Sequence, residues 1–190
     1  MNMGNMKFCC FNEGKHKLHA VVDLYRELFN GVEPKTGLPH KGPILYRWWF
    51  GEKSKVMETI TDFAKKDQEL ADFLRNVERY KENNTTYYAL YFGKGVNGRR
   101  RLKNHLSPYK RSSTLRRTIG ALLNTENEKD ITNELQECYY EWCEMACSKD
   151  ELSDREEQAI KDGYYPLNLS ENNKNSKEWK THLQQLRNSK

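Results

Sequence analysis

Residues 87–106, YYALYFGKGVNGRRRLKNHL, decide how the rest of the chain is interpreted. The aromatic and apolar residues 87–92 predict a β-strand, because such side chains suit the pleated surface of a sheet. Residues 93–95, Gly-Lys-Gly, predict a break in that strand, since glycine adopts backbone angles that other residues avoid. The segment that follows predicts a helix on which Arg101 and His105, four residues apart, share one face. The stretch therefore predicts a compact polar site at a strand end or, more plainly, a strand followed by a solvated basic helix.

Hydrophobic periodicity along the rest of the chain predicts an α+β fold, with a small sheet flanked by helices. The strands are predicted over residues 42–50, 87–92 and 139–145. A helical insertion of two helices, which ends in a polar loop over 81–86, is predicted between the first two strands. Further helices are predicted over 17–29, from 112, over 131–138, over 153–162 with a capping box at its start, and over 179–186.

The composition is that of a polar but folded chain. Hydrophobic residues make up 36% and charged residues 31% of the 190 residues, and aromatic residues at 12% argue against disorder. No run of about eighteen apolar residues is present, so we expect no membrane partner. Five cysteines without the paired spacing of a zinc site, and an N-terminus without an apolar leader, favour a reducing, cytoplasmic (intracellular) location.

Basic residues cluster in one part of the chain. The net charge of +5 permits an acidic partner without demanding one. Residues 94–117, however, hold nine lysines and arginines and no acid. Such clustering is typical of a surface that contacts phosphates. The candidate nucleic-acid-binding residues are Lys94, Arg99, Arg100, Lys103 and Arg116.

These motifs together resemble the GIY-YIG nuclease family. Residues 91–93, Tyr-Phe-Gly, are similar to the second half of its signature, and Arg101 and His105 follow ten and fourteen residues after the tyrosine. Residues 44–46, Ile-Leu-Tyr, resemble the first half, although glycine does not immediately precede them in the usual spacing and the two tyrosines lie 45 positions apart. Residues 156–168, from Glu156 to Asn168, resemble the family's later glutamate and asparagine.

The resemblance implies a three-stranded, mostly antiparallel sheet with the helical insertion between the first two strands. It divides the chain into an N-terminal helix and loop (1–41), a nuclease domain (42–169, insertion 52–84) and a polar C-terminal tail or helix (170–190). The activity it implies is hydrolysis of DNA phosphodiester bonds with Mg²⁺ or Mn²⁺.

Each site residue has a role that the resemblance implies. Tyr46 and Tyr91 would position and deprotonate the attacking water, Arg101 would bind the scissile phosphate, and His105 would orient or protonate. Glu156 would bind the metal, with Glu157 as the alternate ligand. Asn168 would support the geometry of the site.

Two other functions fit the same residues. One is a nucleic-acid-binding module of the same fold without catalysis; the other is a protein-interaction domain whose basic segment is only a solvated face. Sequence specificity is not encoded by phosphate contacts, so it would come from the insertion, the N-terminal region or self-association as a homodimer.

Overall fold

Strand β2, Ile44–Gly51, lies at the centre of the sheet, and both of its neighbours run antiparallel to it. The structure is a computed structural model that describes residues 11, 17–31, 37–107 and 113–189. The other strands within these residues are β1 (His19–Ala20), β3 (Arg79–Glu82), β4 (Thr85–Gly95) and β5 (Tyr139–Glu144). The helices there are α1 (Val21–Phe29), α2 (Lys55–Ala64), α3 (Gln68–Arg75), α4 (Gly98–Leu106), α5 (Thr114–Leu122), α6 (Glu128–Gln136), α7 (Lys149–Asp162) and α8 (Lys177–Asn188).

The α+β class is confirmed, but the prediction of three strands is wrong. The five strands are ordered β1-β5-β2-β4-β3, and each neighbouring pair is antiparallel. Strand β3 lies where the polar loop over 81–86 was expected. Its hairpin to β4 turns at Asn83 and Asn84, whose φ angles of 46° and 62° suit the two-residue turns that favour asparagine.

The predicted break at residues 93–95 is also wrong, because β4 continues through Gly95. Gly95 pairs with Ile44, and Gly93 pairs with Tyr46. The turn comes two residues later, where the Asn97 side chain accepts a hydrogen bond from the backbone N–H of Arg100 and begins α4. The longer strand carries the functional stretch further along the sheet than the glycines suggest.

Gly93 is required by the close approach of Tyr46. A Cβ atom at residue 93 would lie 2.5 Å from the Tyr46 hydroxyl oxygen and 2.6 Å from the ring carbon that bears it. Tyr46 is wholly buried, so its ring has no free space to move into. Glycine at this position therefore lets a phenol from the neighbouring strand lie flat across β4.

The two faces of the sheet carry separate hydrophobic clusters. Alternate residues of β2 fall into one or the other, as the period of a strand requires. One cluster contains Tyr46 together with Leu102 and Leu106 of α4. The other contains Leu45, Leu152 and Ile160, the last two from α7. Helices α4 and α7 therefore lie on opposite faces and approach each other at the end of β4.

Helix α7 begins earlier than predicted. The capping box is formed by Ser148 and Glu151, not by Ser153 and Glu156. Both pairs fit the same short pattern, and the upstream one lies at the true start. As a result Glu156 lies in the middle of α7, not in its first turn.

The terminal helices join the core. Helix α8 confirms the helix predicted over 179–186, and its Trp179 and Leu183 are fully buried despite the polar sequence around them. Helix α1 is shorter than predicted, because His19 and Ala20 pair with β5 as a strand. None of the helices in the described part of the chain has the length and apolar character that a bilayer crossing requires.

Candidate active site

A hydrogen-bonded chain joins the first tyrosine to the basic helix. The Arg101 Nε–H donates to the Tyr46 hydroxyl at 2.9 Å, and that hydroxyl lies 2.8 Å from His105 Nε2. The Tyr91 ring lies 6.4 Å from the Tyr46 ring, and the charge of Arg101 acts on both hydroxyls. We refer to Tyr46, Tyr91, Arg101 and His105 as the tyrosine wall. It is held by β2, β4 and α4, the elements that the two half-signatures and the basic helix predicted.

The partners of Tyr46 and His105 indicate which atom donates each hydrogen bond. Arg101 can only donate, so the Tyr46 oxygen accepts from Arg101 and has its own proton for His105 Nε2. His105 Nδ1 lies 2.7 Å from Ser113 Oγ, the N-cap of α5. We assign the histidine proton to Nδ1, because Nε2 is then an acceptor for the Tyr46 hydroxyl proton.

Burial sets the ionisation of the tyrosine wall. Burial, followed by the charges of Arg101 and Arg116, holds the pKa of His105 well below its usual value, so the imidazole is neutral. Burial and the neighbouring Tyr91 raise the pKa of Tyr46 well above its usual value, and the nearby Arg101 opposes this shift. Burial also raises the pKa of Tyr91, again against Arg101. In the free protein both phenols are therefore protonated.

The carboxylates lie on the facing helix. Lys94 Nζ forms an ion pair with Glu156 Oε2 at 2.9 Å, and Glu157 pairs with Lys161 one helical turn further along α7. The Glu156 and Lys94 side chains are partly exposed, at 23% and 33%. We refer to Glu156, Glu157 and Lys94 as the glutamate wall. Its polar groups face solvent, whereas Tyr46 and His105 are fully buried.

The two walls enclose one cleft of about 780 Å³. Tyr91, Arg101, Glu156 and Glu157 all line it, although they are far apart in sequence. Tyr46 and His105 lie behind Arg101 and are not among the lining residues. The cleft is also lined by Lys94, Gly95, Val96, Asn97, Arg100, Asn104, Thr114, Ser153, Ile160, Asn168, Ser170 and Glu171.

Asn168 fixes the strand beside the cleft. Its side-chain oxygen accepts from the Phe92 N–H and its amide donates to the Phe92 carbonyl, both at 2.9 Å. The Leu167 N–H donates to the Leu90 carbonyl at 3.0 Å. Both polar atoms of the Asn168 side chain are thus engaged by the Phe92 backbone, which leaves the residue little freedom to bind a metal.

The basic residues do not all reach the cleft. Arg100 lines it, and Arg99 and Lys103 are exposed elsewhere on α4, where Lys103 lies over the Phe29 ring. Arg116 is only 2% exposed and is bound internally by Glu128, the His105 carbonyl and Thr132. The predicted nucleic-acid contact by Arg116 therefore does not fit its burial and its internal hydrogen bonds. Two further basic residues of the 94–117 cluster, at positions 110 and 111, lie outside the described residues.

Two features of the site were not predicted. Ser113 was not among the predicted site residues, but its hydroxyl caps α5 and also hydrogen-bonds His105. Lys94 was expected on the nucleic acid, and the structure pairs it with Glu156. A serine eight residues after a histidine carries no recognisable signal, because a serine in a turn is common. The Lys94 partner could be found only from the strand-to-helix packing.

The donor set is compatible with a hard divalent cation. The cleft offers carboxylate oxygens at Glu156 and Glu157 and a hydroxyl at Ser153. No preassembled group of three or more His, Cys, Asp or Glu side chains occurs in the described ranges. Mg²⁺ is commonly held by one or two carboxylates, several waters and substrate phosphates, so these residues fit it.

Comparison with known proteins identifies the family. Residues 44–189 match the model of the GIY-YIG catalytic domain, so the chain belongs to the GIY-YIG family. Members of this family are generally endonucleases and typically use divalent metals, which indicates nuclease activity on a nucleic acid. Comparisons with curated proteins and with solved structures found no significant match.

Proposed function

We propose that the protein is a divalent-metal-dependent endonuclease that hydrolyses phosphodiester bonds of DNA at the cleft between the two walls. One observation carries this proposal: Tyr91, Arg101 and Glu156 line the same cleft although 65 residues separate the first from the last. Phosphodiester hydrolysis needs an oriented water, a cation for the phosphoryl oxygens and a metal-binding carboxylate. The cleft holds a candidate for each.

Arg101 is the residue to which we assign the scissile phosphate. Its Nε–H is occupied by Tyr46, and a planar guanidinium fixed at one nitrogen presents its other N–H groups in a set direction. Burial acts to lower the Arg101 pKa, but its hydrogen bond to Tyr46 and its interaction with Tyr91 leave that pKa raised, so Arg101 is positively charged throughout the physiological range. A fixed cation that needs no reorganisation stabilises the charge that develops in the transition state.

The two tyrosines have different positions and therefore different roles. Tyr91 lines the cleft, where its hydroxyl can orient the attacking water. Tyr46 is buried behind it and holds Arg101 on one side and His105 on the other. The neutral His105 Nε2 can accept a proton that reaches Tyr46, because it already lies at hydrogen-bond distance.

A bound Mg²⁺ or Mn²⁺ would supply Lewis-acid stabilisation of the phosphate and lower the pKa of a coordinated water. Glu156 is our choice as its ligand and Glu157 is the alternate. Glu156 is the more enclosed of the two, with 23% of its side chain exposed against 46% for Glu157.

The test is cleavage of supercoiled, linear and branched DNA with Mg²⁺, with Mn²⁺ and with chelator. We expect metal-dependent nicking that is lost in Arg101→Ala and in Glu156→Ala. DNA binding without nicking of any substrate under any metal would instead favour the non-catalytic binding module. No binding even at low salt would favour the protein-interaction domain, since phosphate contacts strengthen as salt falls.

A further inference from the structure

Lys94 occupies an unusual position for a residue expected to bind nucleic acid. It lies on β4 directly after Gly93, and its ammonium is 2.9 Å from the Glu156 carboxylate across the cleft. Both groups are only partly exposed, so the pair is enclosed by the walls that would also enclose a substrate. Lys94 therefore neutralises the carboxylate that the proposed function assigns to the metal.

The Lys94 ammonium and a divalent cation would compete for the Glu156 carboxylate. The ammonium lies within bonding distance of Oε2, and a cation at that oxygen would face its positive charge at close range. Lysine is suited to exchange, because its ammonium is a point charge on a flexible stem of four carbons. The phosphates of a nucleic acid would offer it an alternative anion at the same cleft.

We propose that Lys94 is the resident counter-ion of Glu156 and that it transfers to a phosphate of the nucleic acid when a divalent cation binds Glu156. The inference rests on the proposed function and specifies how the cleft is loaded. Lys94 in the free protein weakens metal binding, and bound DNA draws Lys94 away. Metal and DNA therefore bind with positive coupling, which is reciprocal.

The neighbouring pair on α7 provides a matched control. Lys161 and Glu157 form the same kind of ion pair one turn away, and both of its side chains are more exposed than those of the Lys94 pair. Lys161 does not line the cleft. Removing the Lys161 charge tests whether any nearby lysine weakens metal binding or whether the effect belongs to Lys94.

The experiment measures Mn²⁺ affinity by calorimetry on the full chain without DNA. Lys94→Met is expected to bind Mn²⁺ about five-fold more tightly than the wild type, the size that a partly exposed ion pair supports. The Mn²⁺ affinity of Lys161→Met should stay within about two-fold of the wild-type affinity. Lys94→Arg keeps the charge, so its affinity should also match that of the wild type. If Lys94→Met does not fold, Lys94→Gln serves in its place.

A second measurement follows DNA binding in chelator by fluorescence anisotropy. Glu156→Gln is expected to bind a short duplex more tightly than the wild type, because Lys94 is released to the phosphates. Adding Lys94→Met to Glu156→Gln should abolish this gain and lower the salt dependence by about one phosphate contact.

The outcomes separate the inference from the proposed function. One outcome overturns the inference and leaves the nuclease proposal standing. In it, the wild type binds Mn²⁺, Glu156→Gln does not bind it, and Lys94→Met binds it no more tightly than the wild type. If Lys161→Met gains affinity instead, Glu157 is the ligand and the inference is overturned. If neither the wild type nor any variant binds Mn²⁺, the proposed metal site itself fails.

Discussion

The two walls of the cleft satisfy their polar groups in opposite ways. On the tyrosine wall, Tyr46 and His105 are fully buried and bond only to groups of the protein, through Arg101 and Ser113. On the glutamate wall, Glu156 is partly exposed and is paired with a flexible lysine. The polar groups of the tyrosine wall are thus satisfied within the free protein, whereas Glu156 on the glutamate wall has a partner, Lys94, that a cation can replace.

This difference predicts that the two walls contribute differently to stability and to cleavage. A buried polar group that loses its partner costs stability, because no water replaces the lost bond. A partly exposed ion pair contributes little to stability and can be broken at small cost. We therefore expect changes on the tyrosine wall to affect both stability and cleavage, and changes on the glutamate wall to affect cleavage while leaving stability nearly unchanged.

The largest effect on cleavage is expected for Tyr46→Phe. The change removes the group that accepts from Arg101 and donates to His105, so both partners lose a buried bond. We expect unfolding free energy to fall by roughly 1–3 kcal/mol and single-turnover nicking to slow by about 10³-fold. Urea denaturation and a plasmid-nicking time course measure the two effects on the same preparation.

Tyr25→Phe is the matched control for that change. Tyr25 lies on α1, is only partly buried, and packs against Phe29 away from the cleft. It should leave both stability and nicking near the wild-type values. If Tyr46→Phe were as stable as Tyr25→Phe, the buried hydrogen bonds of Tyr46 to Arg101 and His105 would not stabilise the tyrosine wall.

Glu156→Gln tests the other wall. The amide keeps the shape of the side chain but loses the charge that binds a cation, so nicking should fall by roughly 10²-fold or more. Stability should change by less than about 1 kcal/mol, because the lost ion pair is partly exposed. Asp154→Asn on the exposed side of α7 is the control, and a loss of stability as large as that of Tyr46→Phe would contradict the comparison.

Arg116→Ala should cost stability without weakening DNA contacts. Arg116 is buried and bonds Glu128, Thr132 and the His105 carbonyl, so its loss leaves several groups unpaired. We expect a loss of roughly 2–4 kcal/mol in thermal or urea unfolding. Arg100→Ala, on the exposed cleft rim, is the counterpart: it should retain stability and lose DNA affinity. The opposite pattern would show that Arg116 faces the nucleic acid after all.

The pH dependence of stability probes His105. Its pKa in the folded state is well below that in the unfolded chain, so the unfolded state binds the extra proton first. Below about pH 6.5 this histidine should therefore reduce stability by about 1.4 kcal/mol for each pH unit, until the folded-state pKa is reached. His105→Asn should show a shallower decline than the wild type between pH 6.5 and 5 in urea titrations. Equal slopes would mean that His105 is not buried in the neutral form.

Local patterns predicted the parts of this molecule that depend on local chemistry. The strands that carry Tyr46 and Tyr91 and the helix that carries Arg101 were predicted from aromatic runs and residue spacing, and all three are present. The two strands pair although their tyrosines lie 45 positions apart in the sequence, because long connections add little entropic cost.

Features that depend on distant partners were missed. Arg116 looks like a surface arginine until Glu128 and Thr132 are placed around it. Strand β3 is polar and its first three residues are exposed, so its sequence resembles a loop. Only the Asn83-Asn84 turn indicates a hairpin. Glycine at residue 93 indicated a break, whereas its function is to make room for a ring from another strand.

The most direct test of the central claim, that both walls serve one reaction, is a double-mutant cycle on single-turnover plasmid nicking in Mg²⁺. The variants are Tyr46→Phe, Glu156→Gln and the two combined. Residues that act as one catalytic unit are strongly non-additive, so the double variant should nick about as slowly as the slower single variant. A loss equal to the product of the two single losses, or nicking at the wild-type rate in either single variant, would contradict the account.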